Sequence, residues 1–291
     1  MEEAHFQWIL LASIGALAII LLNSVQLKLF LPKYGLVSFK KMFHLVAIFS
    51  MTVNVVPFWG GHALMIYLLG QREKVGKTVA LSVITLDQII EGFPKLFLFG
   101  WVAFSGPFPD WMKGGMQGFL MLVGVTYTIF FVLAFKYRDH VEELHGSSGQ
   151  FWGKIYQLFK KWAHHLHVLR KWPTLLTTVA LATLMKFLEV LAVYFIQIAL
   201  DVPLGLNAAF LVVAAVSLAT TLPLTPGRLG VFEAAAMLTY QYLGLDATLG
   251  LAMGVTIHAV HTLPLLAVGY FSSLKMGFKK MIPRVNVPDP V

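Results

Sequence analysis

The sequence predicts an all-α polytopic membrane protein with about five full spans plus two oppositely oriented re-entrant helical hairpins in an inverted repeat. Of the 291 residues, 58% are hydrophobic and only 12% are charged, whereas about 25% of the residues in a typical soluble domain are charged. Apolar runs of about 20 residues, the length that crosses a bilayer as a helix, recur along the chain. Two further apolar segments are interrupted by proline and glycine, which predicts helices broken inside the membrane.

Five uninterrupted apolar segments predict the full spans. They are residues 6–27, 78–104, 115–136, 173–200 and 247–272. The first is not typical of a signal peptide, because its N-terminal flank is acidic and its lysines follow it, so we expect a retained helix that begins outside the cell. The first and third of these spans have no charge in their interiors, and we expect both to face lipid.

The two interrupted segments are residues 42–70 and 206–243. The first breaks at PFWGGH (57–62) and the second at PLTPGRLG (223–230). Each segment either crosses the membrane as a discontinuous helix or enters and leaves on one side. Irregular backbone at membrane depth is tolerated where it packs in protein or lines a wet cavity, so we expect both breaks to face the protein interior.

The distribution of basic residues favours re-entry. Residues 28–41, 71–77, 136–172 and 273–291 hold 4, 3, 7 and 4 lysines and arginines, which makes 18 of the 22 in the chain. Cytoplasmic loops are rich in these residues. All four segments lie in the cytoplasm only if the first interrupted segment re-enters from inside and the second from outside. The sequence therefore predicts a multi-pass protein of the cell inner membrane, with its N-terminus outside and its C-terminus cytoplasmic.

The two interrupted segments resemble copies of one unit within a single transmembrane domain, residues 1–291. Repeat 1 covers about 42–104 and repeat 2 about 206–272. Equivalent features occur in the same order in both, namely Pro57 and Pro223, Gly61 and Gly227, Glu91 and His261, and Pro94 and Pro264. Because the two copies enter from opposite sides, the repeat is inverted, and such repeats place a binding site at their interface near the bilayer midplane.

Residues 150–172 predict a basic amphipathic helix on the cytoplasmic surface. Apolar residues recur there at spacings of three and four, with five lysines and arginines between them, a pattern that favours anionic lipid. The cytoplasmic loops account for the formal net charge of +8, so we expect no nucleic-acid partner. Cysteine is absent, which excludes disulfides and thiolate chemistry within these residues.

Several ionisable and polar residues fall at membrane depth, where a charge costs at least about 2.5 kcal/mol and therefore indicates function. We expect them to line one polar cavity that binds the substrate. The candidate residues are Asn54, His62, Asp87, Glu91, Lys186, Glu189, Gly227, Arg228, Glu233, His258 and His261. The alternative is that they form structural ion pairs that fix helix packing, such as Lys186 with Glu189 or Lys95 with Glu91. Because histidine titrates near neutral pH, a proton-coupling role for Asp87, Glu91, His258 and His261 is also expected.

The break in the second segment suggests an anion site. Pro226 and Gly227 predict the start of a half-helix, which would leave the N–H groups of residues 227–229 free at its positive end. The planar guanidinium of Arg228 suits phosphate, and Glu233 would hold Arg228 or accept a hydrogen bond from a substrate hydroxyl. We expect no metal and no cofactor, because His258 and His261 lack a third ligand at a suitable spacing.

The motif P-x-x-P-G-x-x-G-x-x-E, here Pro223, Pro226, Gly227, Gly230 and Glu233, resembles that of the flippase-like family, also called the lysylphosphatidylglycerol synthase transmembrane family. The resemblance covers about residues 10–272. It implies an inner-membrane protein of several spans that moves lipids or lipid-linked groups between leaflets. Bifunctional members also carry a soluble aminoacyl-transferase domain, and none is expected in these 291 residues, so the synthase activity is not implied.

The chain departs from the family pattern at both breaks. It has Arg228 where the family often has a second glycine, and it has Trp59 and His62 where the family often has an arginine and an acidic residue. These departures bear on the charge of the head group that the cavity accepts.

Three functions fit these observations. The first is a lipid flippase-like transporter, whose partners are membrane lipids with an anionic or zwitterionic head group. The second is a membrane enzyme that acts on a lipid phosphate, with His258 or His261 as acid or base. The third is a non-catalytic membrane assembly protein. A homodimer is compatible with all three.

Overall fold

The fold is seen in a computed structural model that describes residues 5–31, 37–56, 59–136, 171–221 and 225–277, with side chains omitted at 130–136. Every regular element within these ranges is helical, and they contain no strand. The predicted amphipathic helix at 150–172 lies almost entirely outside the described residues.

Five long helices correspond to the five predicted spans. They are α1 (Phe6–Phe30), α4 (Lys77–Ser105), α5 (Asp110–Lys136), α6 (Trp172–Ala199) and α9 (Ala247–Met276). Of the described helices, α1, α6 and α9 combine the length and the hydropathy needed to cross a membrane. The ends follow local rules: the Asp246 side chain caps α9 by accepting from the Leu249 N–H, and Pro173 occupies the first turn of α6.

Each interrupted segment folds into two helices that pack against each other. The first consists of α2 (Phe39–Val55) and α3 (Gly60–Tyr67), which continues as a π-helical turn, Leu68–Arg72; the second consists of α7 (Leu206–Ala219) and α8 (Val231–Tyr242). Gly61 permits the first close turn, because a Cβ there would lie 2.8 Å from the Val53 nitrogen. Each segment is therefore a pair of packed helices, which we call a hairpin; that the hairpins re-enter the membrane, and from which side, stays a prediction.

The packing of helices in α1–α4 parallels the packing in α6–α9. In order along the chain, α1, α2, α3 and α4 correspond to α6, α7, α8 and α9. Helix α1 contacts α2, α4 and α9, and helix α6 makes the equivalent contacts with α7, α9 and α4. The last helix of each half packs on the first hairpin helix of the other, α9 on α2 and α4 on α7, while α1 and α6 pack on each other. An internal repeat would produce this pattern, with α1 and α6 as additional equivalent members; the repeat boundaries at 42–104 and 206–272 stay a prediction.

Helix α1 corrects one expectation. It does not simply face lipid, because Ala12, Ala16 and Ile20 are buried against other helices, whereas Leu10 and Ile14 on another face are exposed. The absence of charge did not predict the exposure of α1 to lipid, because small apolar residues and neutral amides can also pack inside a helix bundle. Helix α5, by contrast, leaves exposed most of the large apolar side chains that the structure describes in it, at 111–129, as expected of a helix in contact with lipid.

The predicted re-entry of residues 42–70 from the cytoplasm leads to a first testable prediction. Single cysteines placed at Lys33 and Lys74 should both react with a membrane-impermeant thiol reagent from the cytoplasmic side only, because basic loops on both flanks favour that side. The chain has no cysteine, so each variant carries one reactive thiol and the parent is the blank. Labelling of the two positions from opposite sides would show that the segment crosses the membrane.

Candidate functional site: a polar cavity between the hairpins

A cavity of about 300 Å³ lies between the two halves, and residues from every helix except α5 line it. It gathers seven of the predicted site residues, namely Asn54, His62, Glu91, Lys186, Glu189, Arg228 and His261. Glu91 and His261, which occupy equivalent positions in the predicted repeat, both face this space. Each lies three residues before a proline inside its helix, Pro94 in α4 and Pro264 in α9.

Both glutamates in the cavity are paired with a lysine of their own helix. The Lys186 Nζ lies 2.6 Å from Glu189 Oε2, and the Lys95 Nζ lies 3.6 Å from Glu91 Oε2. These are the two ion pairs considered from the sequence. Within each pair the lysine and the glutamate compensate each other's charge, so neither pair contributes a net charge to the cavity.

Arg228 is the exception, because it forms no ion pair or side-chain hydrogen bond with any residue that the structure describes. It is half-buried, lines the cavity and acts electrostatically on both His62 and His261. Its backbone φ of 60° lies in the left-handed region, which is uncommon for any residue other than glycine. A strained backbone that carries an unpaired guanidinium facing a cavity is more typical of a binding site than of packing.

The backbone around Arg228 differs from the expected half-helix start. Residues Pro226–Arg228 form a single 3₁₀ turn, and α8 begins only at Val231. The Arg228 N–H donates to the Thr225 carbonyl at 3.0 Å, and the Leu229 N–H donates to the Pro226 carbonyl at 3.3 Å. The N–H groups of Arg228 and Leu229 are therefore not free, contrary to the expectation for 227–229, and an anion at this place would be held mainly by the arginine side chain.

Glu233 has partners other than the predicted one. Its Oε2 accepts from the Gly230 N–H at 2.7 Å, and its Oε1 lies 2.6 Å from His258 Nδ1. The suggestion that Glu233 holds Arg228 is wrong, because both carboxylate oxygens are used in fixing the N-terminus of α8 to α9. His258 also stacks on Phe232, with ring centroids 4.4 Å apart, and it does not line the cavity.

The tips of the two hairpins meet beside the cavity. Gly227, with a φ of 62°, lies so close to the end of α2 that a Cβ would be 2.8 Å from the Asn54 carbonyl oxygen. Glycine is needed here for both reasons, because a side chain would clash and its backbone conformation would be strained. Gly227 therefore positions the neighbouring arginine rather than lining the cavity itself.

An aromatic group surrounds His62 at the cavity wall. Its ring centroid lies 4.9 Å from that of Trp59 and 5.2 Å from that of Phe49, and its buried Nδ1 has no hydrogen-bond partner among the described residues. Trp59 and Phe49 were not among the predicted site residues, although Trp59 stands out in the sequence as a large aromatic residue at a helix break.

Asp87 lies outside the cavity lining but contacts residues that form it. The carboxyl group is 1% exposed and accepts hydrogen bonds from the amides of Asn23 and Gln26 on α1. Asn23 lines the cavity, as does Gln88, the neighbour of Asp87. Asn23 and Gln26 of α1 were not among the predicted site residues. Their spacing of one turn in a mostly apolar helix was the signal that could have identified them.

The described residues contain no group of three or more histidine, cysteine, aspartate or glutamate side chains arranged to hold a metal ion. The side chains that the structure describes around the cavity offer a guanidinium, paired charges, imidazoles and amides, which can form ionic interactions and hydrogen bonds.

Comparison with known proteins adds one finding. The family model described as the lysylphosphatidylglycerol synthase TM region matches residues 1–269 of the chain. No curated protein and no solved structure gives a significant match.

Proposed function

The chain belongs to the lysylphosphatidylglycerol synthase transmembrane-region family and is a multi-pass membrane protein, and on this premise we propose that it is a flippase-like lipid transporter. In this proposal a phospholipid or lipid-linked head group enters the cavity between the hairpins and passes from one leaflet to the other. The acyl or prenyl chains stay in the surrounding lipid. The membrane is the cell inner membrane, with the N-terminus outside.

The observation that carries the proposal is the unpaired guanidinium of Arg228. The two lysines of the cavity are matched by two glutamates, and Arg228 is left as an uncompensated cation among the described lining residues. Guanidinium is weakly hydrated and binds phosphate through two parallel hydrogen bonds. A phosphate is common to phospholipids and lipid-linked carriers, so this charge favours a substrate of that class.

The size of the cavity supports a head-group site. At about 300 Å³ it lies at the lower end of the range for small-molecule pockets, which is about 300–1,000 Å³. A polar head group fits such a volume, whereas two long acyl chains do not. The two hairpins on either side are the elements that would open the cavity to one leaflet at a time, as in other transporters built from repeats.

The enzyme alternative has one observation in its favour, the contact between Glu233 and His258. A carboxylate on Nδ1 of histidine orients the ring and leaves Nε2 as an acid or base. His258 does not line the cavity, however, and its contact with Glu233 ties α9 to the N-terminus of α8; His261 does line the cavity, but it has no hydrogen bond or ion pair with a carboxylate among the described residues. We therefore rank the transporter first.

The transporter proposal is tested in vesicles that contain the purified protein and a trace of phospholipid with a fluorescent label on its head group. A membrane-impermeant reductant added outside destroys the fluorescence of only those labels that lie in the outer leaflet. With the protein present, label should be lost from both leaflets, whereas vesicles without protein should keep the inner-leaflet signal. Equal protection in both preparations would contradict transport, and chemical conversion of the lipid in detergent would favour the enzyme.

A further inference from the structure

Asp87 is a buried acid that the proposed head-group site does not use. It lies within α4, is 1% exposed and is separated from the cavity by Asn23 and Gln88, which both line it. The Oδ1 atom accepts from Gln26 Nε2 at 3.0 Å and from Asn23 Nδ2 at 3.2 Å. One oxygen of this carboxyl group thus takes both of the hydrogen bonds that α1 offers.

The other half of the cluster is unsatisfied. Asp87 Oδ2 and Gln26 Oε1 are both buried, and within the part of the chain that the structure describes neither meets a donor in hydrogen-bonding geometry, although the neighbouring Gln88 amide also acts on the Asp87 carboxyl group. Two acceptor atoms without a donor, on two side chains that contact each other, are costly in a protein interior, and an ionised carboxylate with a bare oxygen costs far more. A water molecule could donate to Oδ2 but would leave the buried charge in place, whereas a metal cation or a proton on Oδ2 would neutralise it.

The surroundings favour the proton. Hard cations in proteins bind several oxygen ligands, about six to eight for calcium. Around Asp87 the described residues offer two free buried acceptor atoms, and they contain no metal-type cluster of acidic residues or histidines. A proton needs only the one oxygen, and it turns Oδ2 into the donor that the cluster lacks.

The charged and titratable neighbours of Asp87 agree with a neutral acid. Glu91, one turn further along α4, is the charged side chain that acts on it. Helix α1 presents the two neutral amides, and Tyr127 of α5 donates to the Ile89 carbonyl. The other titratable groups on neighbouring helices, among them His62, Lys186 and Glu189, face the cavity. Glu91 disfavours a second negative charge beside it even though it pairs with Lys95 at 3.6 Å, whereas a protonated Asp87 carries no charge.

We propose that Asp87 carries an exchangeable proton inside the membrane and that its release to the cavity is coupled to movement of the head group. In the state described here the side chain is the neutral acid, locked between α1 and α4. On release, the O–H bond at Oδ2 breaks, the proton passes to water in the cavity and the carboxylate remains. The proton site stands on the geometry alone, whereas the coupling rests on the proposed transport function.

The proton site is tested by infrared spectroscopy on the reconstituted full chain. The difference spectrum between the parent and Asp87→Asn should contain, at neutral pH, the C=O stretch of a protonated carboxyl group. The same band should persist in Glu91→Gln, which removes the neighbouring carboxyl group instead. Asparagine keeps the shape of the acid, and its amide can donate to Gln26, so the variant should fold, as a melting temperature no lower than the parent's would show. Absence of the band from the parent, or its survival in Asp87→Asn, would overturn the proton site.

The coupling is tested by lipid transport with and without an imposed pH gradient. The parent rate should change several-fold with the gradient, and the Asp87→Asn rate should be the same in both conditions. A parent rate that ignores the gradient, or a variant that responds as the parent does, would overturn the coupling. If the parent moves no lipid at all, the transporter proposal fails, and the infrared band still decides whether Asp87 holds a proton.

Discussion

The Arg228→Gln protein should bind a phosphate-bearing lipid roughly ten- to a hundredfold more weakly than the parent. The substitution keeps the start of the aliphatic chain and a polar end but shortens the side chain and removes the charge, and a hydrogen bond to a charged group contributes about 1.5–3 kcal/mol. The loss should be seen in titrations of the purified protein with a short-chain phospholipid. Lys113→Gln is the matched control, because Lys113 is an exposed cation that pairs with Asp110 away from the cavity, and its affinity should equal the parent's.

A second variant at the same position separates binding from folding. Arg228→Gly also removes the charge, but it relieves the left-handed backbone conformation of residue 228. A non-glycine residue in that conformation costs about 1 kcal/mol, so this variant should melt at a higher temperature than the parent while it binds lipid as poorly as Arg228→Gln. If both variants bind and transport as the parent does, the arginine is not an anion site.

The Gly227→Ala protein should lose about 2–4 kcal/mol of stability, since overpacking costs about 1–3 kcal/mol and the left-handed conformation about 1 kcal/mol more. The new Cβ would lie 2.8 Å from the Asn54 carbonyl oxygen, so the tips of the hairpins must separate. Thermal unfolding in detergent measures the loss, and lipid transport should fall with it, because the contact beside Arg228 is displaced.

Gly244→Ala provides the control for backbone strain. Gly244 also has a positive φ, 93°, but a Cβ there meets no atom within 4 Å. Its replacement should therefore show the conformational cost without the clash, and it should destabilise less than Gly227→Ala. Equal losses in the two variants would mean that the tips do not need their close contact.

The elements were predictable because membrane burial leaves strong signals in the sequence. A helix that crosses lipid must be apolar over about 20 residues, and a break in it must contain residues that disrupt helices, as Pro226 and Gly227 do. The cavity was predictable for a related reason: charges such as Lys186 and Glu189 at membrane depth need partners, and they find them in a shared interior space.

Partnerships between distant residues were not predictable in the same way. Glu233 stands five residues from Arg228 in the sequence, yet its partner is His258 on another helix, because the tight turn at Gly230 directs the carboxylate toward the N-terminus of α8 and toward α9. The amides of Asn23 and Gln26 were missed since neutral polar residues are tolerated at many depths. Their significance depends on Asp87, more than 60 positions further along the chain.

The parallel packing of α1–α4 and α6–α9 has an energetic consequence. The contact of α9 with α2 in one half is equivalent to the contact of α4 with α7 in the other. If the two halves exchanged their conformations, these two contacts would exchange places, and the same pairs of helices would still touch. If the chain is the proposed carrier, we expect the two end states of such an exchange to bury similar apolar surface and to differ little in free energy. Such a carrier would run as easily backward as forward, and the direction of net flow would be set by whatever gradient is present rather than by the fold.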